Sequence, residues 1–238
     1  MNLEGTQALV VGGSSGIGLA TARLLARSGA RVLAAGRDQA KLSQAVGRNI
    51  EPVVVDAGSS EDLRRFFATA PTIDVLVLAL SGGKGAGPFR TLDLEGLAEG
   101  LKAKLLAQLM TLQAALPRLA AEASVTFISA ASAGAAIPGT AGLAAINAAL
   151  EATVPVLAVE LAPIRVNAVS PGIVDTPWWN AVPAEVKENT FERARKRLPV
   201  RRVGSAEDLA EVVVLAATNR NMTGSVLTCD GGGRWVPG

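Results

Sequence analysis

A single α/β domain, with a doubly wound parallel sheet and helices on both faces, is expected from three features of this chain. Short, continuous apolar runs alternate with longer segments of helical period, and a glycine-rich turn follows the first of them. The 238 residues also contain no linker, low-complexity tract or internal repeat. Strands that read as unbroken apolar runs are buried on both faces, and the intervening helices supply the cover. The length allows one sizeable core, and 49% hydrophobic residues argue against a disordered chain. Residues 1–238 are therefore read as one domain.

The elements follow in order. "QALVVG" (7–12) has the pattern of a buried strand, and "GIGLATARLLARSG" after it carries Leu and Ala at helical spacing up to Gly29. "RVLAAG", "EPVVVD" and "DVLVLAL" make the second, third and fourth strands. A helical segment then runs from about Leu94 to Leu119, before "SVTFIS". The Ala-rich stretch "GTAGLAAINAALE" (139–151) is helical, and "IRVNAVSPG" is the next strand. "SAEDLAEVVVLAAT" is a helix with Ser205 at its N-cap, and "SVLTCDGG" is the last strand.

Composition removes several classes of function. A net charge of +2 is too small for a protein that tracks a nucleic-acid backbone, so no nucleic-acid partner is expected. The densest basic run comprises Arg193, Arg195, Lys196, Arg197, Arg201 and Arg202. It follows Glu188 and Glu192 and reads as a solvated helix face. One cysteine, Cys229, gives no disulfide framework and no metal cluster. Without histidine, ordinary zinc sites and Ser-His chemistry are excluded, so no metal is expected. No apolar run approaches the ~20 residues of a membrane span, and no basic-then-apolar leader precedes the first strand. A cytoplasmic protein with no membrane association is the expectation.

The turn "VGGSSGIG" lies between a strand and a helix. Gly12, Gly16 and Gly18 permit a tight turn and close approach of backbone to a pyrophosphate, and the helix start offers free N–H groups. Choice of dinucleotide is read at the end of the second strand, "AAGRD". Gly36 stands where a carboxylate would hold the ribose hydroxyls of NAD, and Arg37 follows. A guanidinium suits a 2′-phosphate, with Ser14 or Ser15 adding a hydroxyl, so NADP(H) is favoured over NAD(H). Asp38 would compete for Arg37.

Taken together, "GGSSGIG", Asp56 after the third strand, "AALPRL", "ELAPIRVNAVSPGIVDTP" and "RRVGSAEDLAEVVVLAA…MTGSVLTCDGG" resemble the short-chain dehydrogenase/reductase family over almost the full length. The resemblance implies a Rossmann-type fold that reduces carbonyls, or oxidises alcohols, of small molecules. It implies cofactor contacts from Gly12, Ser14, Ser15, Gly16, Ile17, Gly18, Arg37, Asp56 and Ala57, with Asp56 at the adenine edge. It also places Pro171, Gly172, Ile173 and Thr176 beside the nicotinamide.

The same resemblance locates a departure. Family members donate a proton from a tyrosine, lower its pKa with a lysine four residues later, orient substrate with a serine and complete a water relay with an asparagine. Those positions fall here on Leu143, Asn147, Ala130 and Lys104, with Ser129 and Ser132 close to the serine position. The chain has no tyrosine at all, so a shifted alignment does not restore the donor. Asparagine can bond a ribose hydroxyl but cannot depress a neighbour's pKa. The loop that is usually Asn-Asn-Ala-Gly reads "LALSGGKGAG".

Two lysines are candidates for the missing acid–base work. Lys84 lies in the glycine-rich loop after the fourth strand, where the alternative is a solvated charge. Lys104 lies on the long helix, where partial burial would lower its pKa into a useful range. Glu99, Glu151 and Glu160 are available carboxylates without an assigned place. Residues 177–200 correspond to the family's substrate cover. Trp178 and Trp179 there speak either for an apolar substrate or for packing of the lid. The small residues Gly142, Ala144, Ala145, Ala148 and Ala149 fit the helix–helix interface of a homodimer or homotetramer, or close packing on the chain's own sheet. The leading reading is an NADP(H)-dependent oxidoreductase with a non-standard site. The alternative is a catalytically silent NADP(H)-binding regulatory or partner protein.

Overall fold

The computed structural model describes residues 2–236. Its centre is a seven-stranded sheet in the order β3-β2-β1-β4-β5-β6-β7, every neighbouring pair parallel. The strands are β1 (Gln7–Val11), β2 (Arg31–Gly36), β3 (Ile50–Val54), β4 (Ile73–Leu78), β5 (Leu119–Ile128), β6 (Arg165–Pro171) and β7 (Val226–Cys229). The chain reverses its winding between β1 and β4. In such sheets that is where a crevice opens at the carboxyl ends of the strands.

The helices are α1 (Gly16–Arg27), α2 (Gln39–Leu42), α3 (Ser60–Thr69), α4 (Leu94–Leu101), α5 (Ala107–Ala115), α6 (Ala141–Glu160), α7 (Ala184–Arg197) and α8 (Ala206–Thr218). One face of the sheet buries Leu9, Leu33, Leu76, Val125 and Phe127 with residues of α3, α5 and α6. The other buries Val10, Val32, Val77 and Val169 with residues of α1 and α8. Alternate residues of a strand thus serve both layers, which is why the strands read as continuous apolar runs. The capping box expected at Ser205 is present, with Ser205 Oγ accepting from the Asp208 N–H and Asp208 accepting from the Ser205 N–H.

Three expectations need correction. The helix predicted to reach Leu119 ends at Ala115, and β5 begins at Leu119: Pro117 has no N–H to continue the helical ladder, and the chain tightens into a 3-10 turn over Leu116–Arg118. Between α4 and α5 the helix widens into a π-turn over Lys102–Leu106. Finally, α6 is long and apolar enough to cross a membrane by length and composition, contrary to the reading that no such run exists. In the fold it lies beside the sheet, burying Ile146, Leu150, Val154 and Ala158 at four-residue spacing. The basic run also has partners: Arg195 pairs with Glu188, Lys196 with Glu192 and Arg202 with Asp208.

Candidate active site

The β1–α1 turn is shaped by steric necessity. A Cβ on Gly12 would lie 2.5 Å from the Ala79 carbonyl oxygen, and one on Gly18 would lie 2.2 Å from the Gly12 oxygen. Gly12 also has φ +87°, a left-handed value that favours glycine. Ser15 occupies the N-cap of α1 without capping it by its side chain, so its hydroxyl is free for other work. Ser14 Oγ packs beside Gly36, 3.4 Å from where a Cβ there would lie, an ordinary contact. Ile17 turns inward and packs against the α1/α8 core.

Arg37 is exposed at the end of β2. Asp38 does not compete for it: that carboxylate accepts the Lys41 N–H at 3.1 Å, capping α2, and pairs with the Lys41 ammonium. Asp56 follows β3, where its Oδ1 accepts the Gly58 N–H at 2.9 Å, and Ala57 behind it is buried. On the far side of the turn, a Cβ on Gly16 would approach Thr176 to 3.3 Å, so the segment after β6 faces the glycine loop. Gly172 is held against Asp230, and the Ile173 carbonyl accepts the Gly204 N–H at 3.0 Å. Pro171 is buried at the end of β6.

Asn147 is 2% exposed and sits on the inner face of α6. Its Nδ2 donates to Ser132 Oγ at 3.1 Å and to the Leu143 carbonyl at 2.8 Å. Its Oδ1 is buried with no partner. An orphaned buried acceptor is costly, so this oxygen is suited to a donor from outside the protein, such as a ribose hydroxyl. Ser132 is therefore the serine that meets Asn147, and Ala130 contributes no polar side chain. The glycine cradle, the uncommitted Arg37 and the orphaned Asn147 acceptor together fit a dinucleotide.

Ser129 plays another part. Its hydroxyl, 2% exposed at residue level, donates to Glu151 Oε1 at 2.7 Å, with the Val169 carbonyl also within reach at 3.2 Å. Ser170 Oγ donates to the same Glu151 oxygen at 2.8 Å. The backbone oxygen of Ser129 accepts the Lys104 ammonium at 3.0 Å. Burial pushes the Lys104 pKa down from 10.5 to about 8, with the Glu151 charge opposing the fall. Lys104 is partly buried, with its ammonium against the end of β5.

Lys84 does not meet that condition. Its ammonium is solvent-exposed and paired with Glu99, which raises its pKa by hydrogen bond and charge. The loop that carries it is pinned by backbone contact instead. A Cβ on Gly100 would lie 2.8 Å from the Lys84 carbonyl oxygen, and one on Gly142 would lie 2.5 Å from the Gly85 oxygen. Gly142 is thus small because its own chain approaches it. Trp179 is also engaged internally: Nε1 donates to the Val174 carbonyl at 2.9 Å, and the ring meets Trp178 and Phe191 edge-on at 5.0 and 5.2 Å.

The residue that sequence reasoning left unplaced is Glu151. A signal was available, since it lies four residues after Asn147 and is the one charged side chain between Ala141 and Val159. Side chains four apart share a helix face, so an inward Asn147 implied an inward Glu151.

Comparison with known proteins identifies the family of the chain. The family model described as "Enoyl-(Acyl carrier protein) reductase" matches residues 11–233. Human "Dehydrogenase/reductase SDR family member 4" is 30% identical, covering 94% of this chain and 86% of its own length. The "3-oxoacyl-[acyl-carrier-protein] reductase FabG" of Thermotoga maritima is 28% identical over 98% of this chain and 99% of its own. A crystal structure described as a small-chain dehydrogenase in complex with NADPH superposes with TM-score 0.82 at 29% identity, covering 97% of this chain and 99% of that one.

Proposed function

The chain belongs to the short-chain dehydrogenase/reductase family, and on that premise we propose an NADP(H)-dependent oxidoreductase that acts on a carbonyl or alcohol of a small molecule with Lys104 as its proton donor. The observation that carries this reading is the partly buried Lys104 ammonium, held by the Ser129 carbonyl at the end of β5 in a chain without tyrosine or histidine. With a pKa of about 8, it is largely protonated at neutral pH yet close enough to give its proton up.

NADP(H) when bound supplies or accepts the hydride. The glycine turn and the start of α1 would hold its pyrophosphate, Arg37 with Ser14 or Ser15 would take the 2′-phosphate, and Asp56 would serve the adenine. Asn147 Oδ1 would accept a ribose hydroxyl, and Thr176 would serve the nicotinamide. In the reductive direction Lys104 gives a proton to the substrate oxygen as the carbonyl carbon gains hydride, yielding the alcohol and a neutral amine that water reprotonates. Residues 177–200 cover the substrate, with Trp179 as a packed support rather than a free contact. The apolar outer face of α6, where Val156 and Val159 are 61% and 81% exposed, supports a homodimer or homotetramer.

A second reading is a silent NADP(H)-binding protein. It is favoured by Leu143 and by the commitment of the Asn147 amide to its own helix and Ser132. The deciding experiment is NADPH binding by fluorescence followed by a carbonyl and alcohol panel on wild type, Lys104→Met and the double variant Leu143→Tyr/Asn147→Lys. Turnover by wild type that Lys104→Met abolishes supports the oxidoreductase. Turnover by the double variant alone supports the silent binder.

A further inference from the structure

Glu151 takes no part in the proton transfer itself, although its charge acts on Lys104. A carboxylate on the inner side of an apolar helix is costly unless donors meet it. Ser129 and Ser170, buried at 2% and 0% exposure, both give their hydroxyls to its Oε1. Ser129 also holds Lys104 through its carbonyl. One residue therefore touches the anion with its side chain and the cation with its backbone.

Other charges around Lys104 are disposed of elsewhere. On α4, Glu99 is exposed and paired with Lys84. Lys102, on the same π-turn, faces solvent, as does Glu122 on β5. Helix α5 carries no charged side chain. Arg165 on β6 is spent on the carbonyls of Ala216, Asn219 and Met222. On α6, Glu160 is exposed and Glu151 is the charge that acts on Lys104.

We propose that Glu151, fixed by Ser129 and Ser170, is a positioning residue that holds the Lys104 ammonium at the end of β5 and keeps it protonated between turnovers. This rests on the reading of Lys104 as the donor. The proton that reaches the substrate oxygen is the one Lys104 loses. A carboxylate that merely ties α6 to the ends of β5 and β6 would leave the titration of Lys104 unmoved.

The test is an NMR titration of Lys104 in full-length protein carrying isotope-labelled lysine, with the resonance assigned by Lys104→Arg. Glu151→Gln should lower the Lys104 pKa by about one unit, the scale of a lost nearby countercharge. Glu151→Asp, which withdraws the carboxylate by one methylene, should give a smaller shift of the same sign and carries the test if Glu151→Gln does not fold. In turnover, the alkaline limb of kcat should move with the titration. An unchanged Lys104 pKa in both variants overturns the proposal, whatever the enzyme's activity. A shifted pKa together with full turnover by Lys104→Met keeps the link between the two side chains and overturns its catalytic use.

Discussion

Replacing Lys104 should make the protein more stable while disabling it. The pKa falls from 10.5 to about 8 in the fold, and each unit is worth about 1.4 kcal/mol. Keeping the ammonium charged at pH 7 therefore costs the folded state about 3 kcal/mol. Methionine fills a similar volume without charge, but leaves the Ser129 carbonyl short of a donor, a loss of about 1 kcal/mol. Lys104→Met should then gain roughly 2 kcal/mol at pH 7. The folded protein binds this proton less tightly than the unfolded chain, so wild-type stability rises with pH between about 8 and 10.5. By pH 10 only about 1 kcal/mol of the penalty remains, and the advantage of the variant should shrink to about zero. Urea unfolding followed by tryptophan fluorescence, wild type against variant at each pH, measures the difference. A variant less stable than wild type at pH 7, or a difference equal at the two pH values, refutes the reasoning. Its kcat should fall by about a hundredfold or more, the usual contribution of a positioned general acid.

Gly18→Ala places a Cβ 2.2 Å from the Gly12 carbonyl oxygen, so it should cost at least 1–3 kcal/mol, roughly the penalty of overpacking. NADPH binding measured by fluorescence should be lost with it. Arg37→Ser should weaken NADPH by about 10- to 100-fold, the scale of a charged hydrogen bond, and leave NADH affinity nearly unchanged in a paired titration. Asp208→Asn removes the forked contact with Arg202 and the carboxylate of the capping box, and thermal melts should show a loss of about 1 kcal/mol. Arg202 holds the Asp208 carboxyl well below the usual range. Its contribution is therefore present above the ordinary carboxylate pKa and fades as pH falls toward the lowered one, so the difference between wild type and variant should narrow in acid.

The architecture was legible because it depends on local information. Continuous apolar strands, helices of 3.6-residue period and a glycine turn where Cβ atoms would collide are all written in short stretches of chain. Ser205 announced its helix for the same reason. The absence of tyrosine was equally plain, since a missing residue type needs no coordinates to detect. What escaped were the π-turn around Lys104 and the early start of β5, which no short window distinguishes from continued helix.

The proton-donor candidates divide along the same line. The sequence already leaned toward a solvated charge for Lys84 and partial burial for Lys104, and the tertiary structure supplied their partners. One ammonium stays in water beside Glu99, while the other is partly buried against the end of β5. Glu151 was visible as a lone acid in an apolar helix, but its partners come from Ser129 on one strand end and Ser170 on another. By itself the sequence determined the sheet, the glycine turn and the absence of tyrosine, because these follow from residue type and spacing. The tertiary structure decided which charges are stripped of water and which groups meet them, because desolvation and charge pairing are set by neighbours far away along the chain.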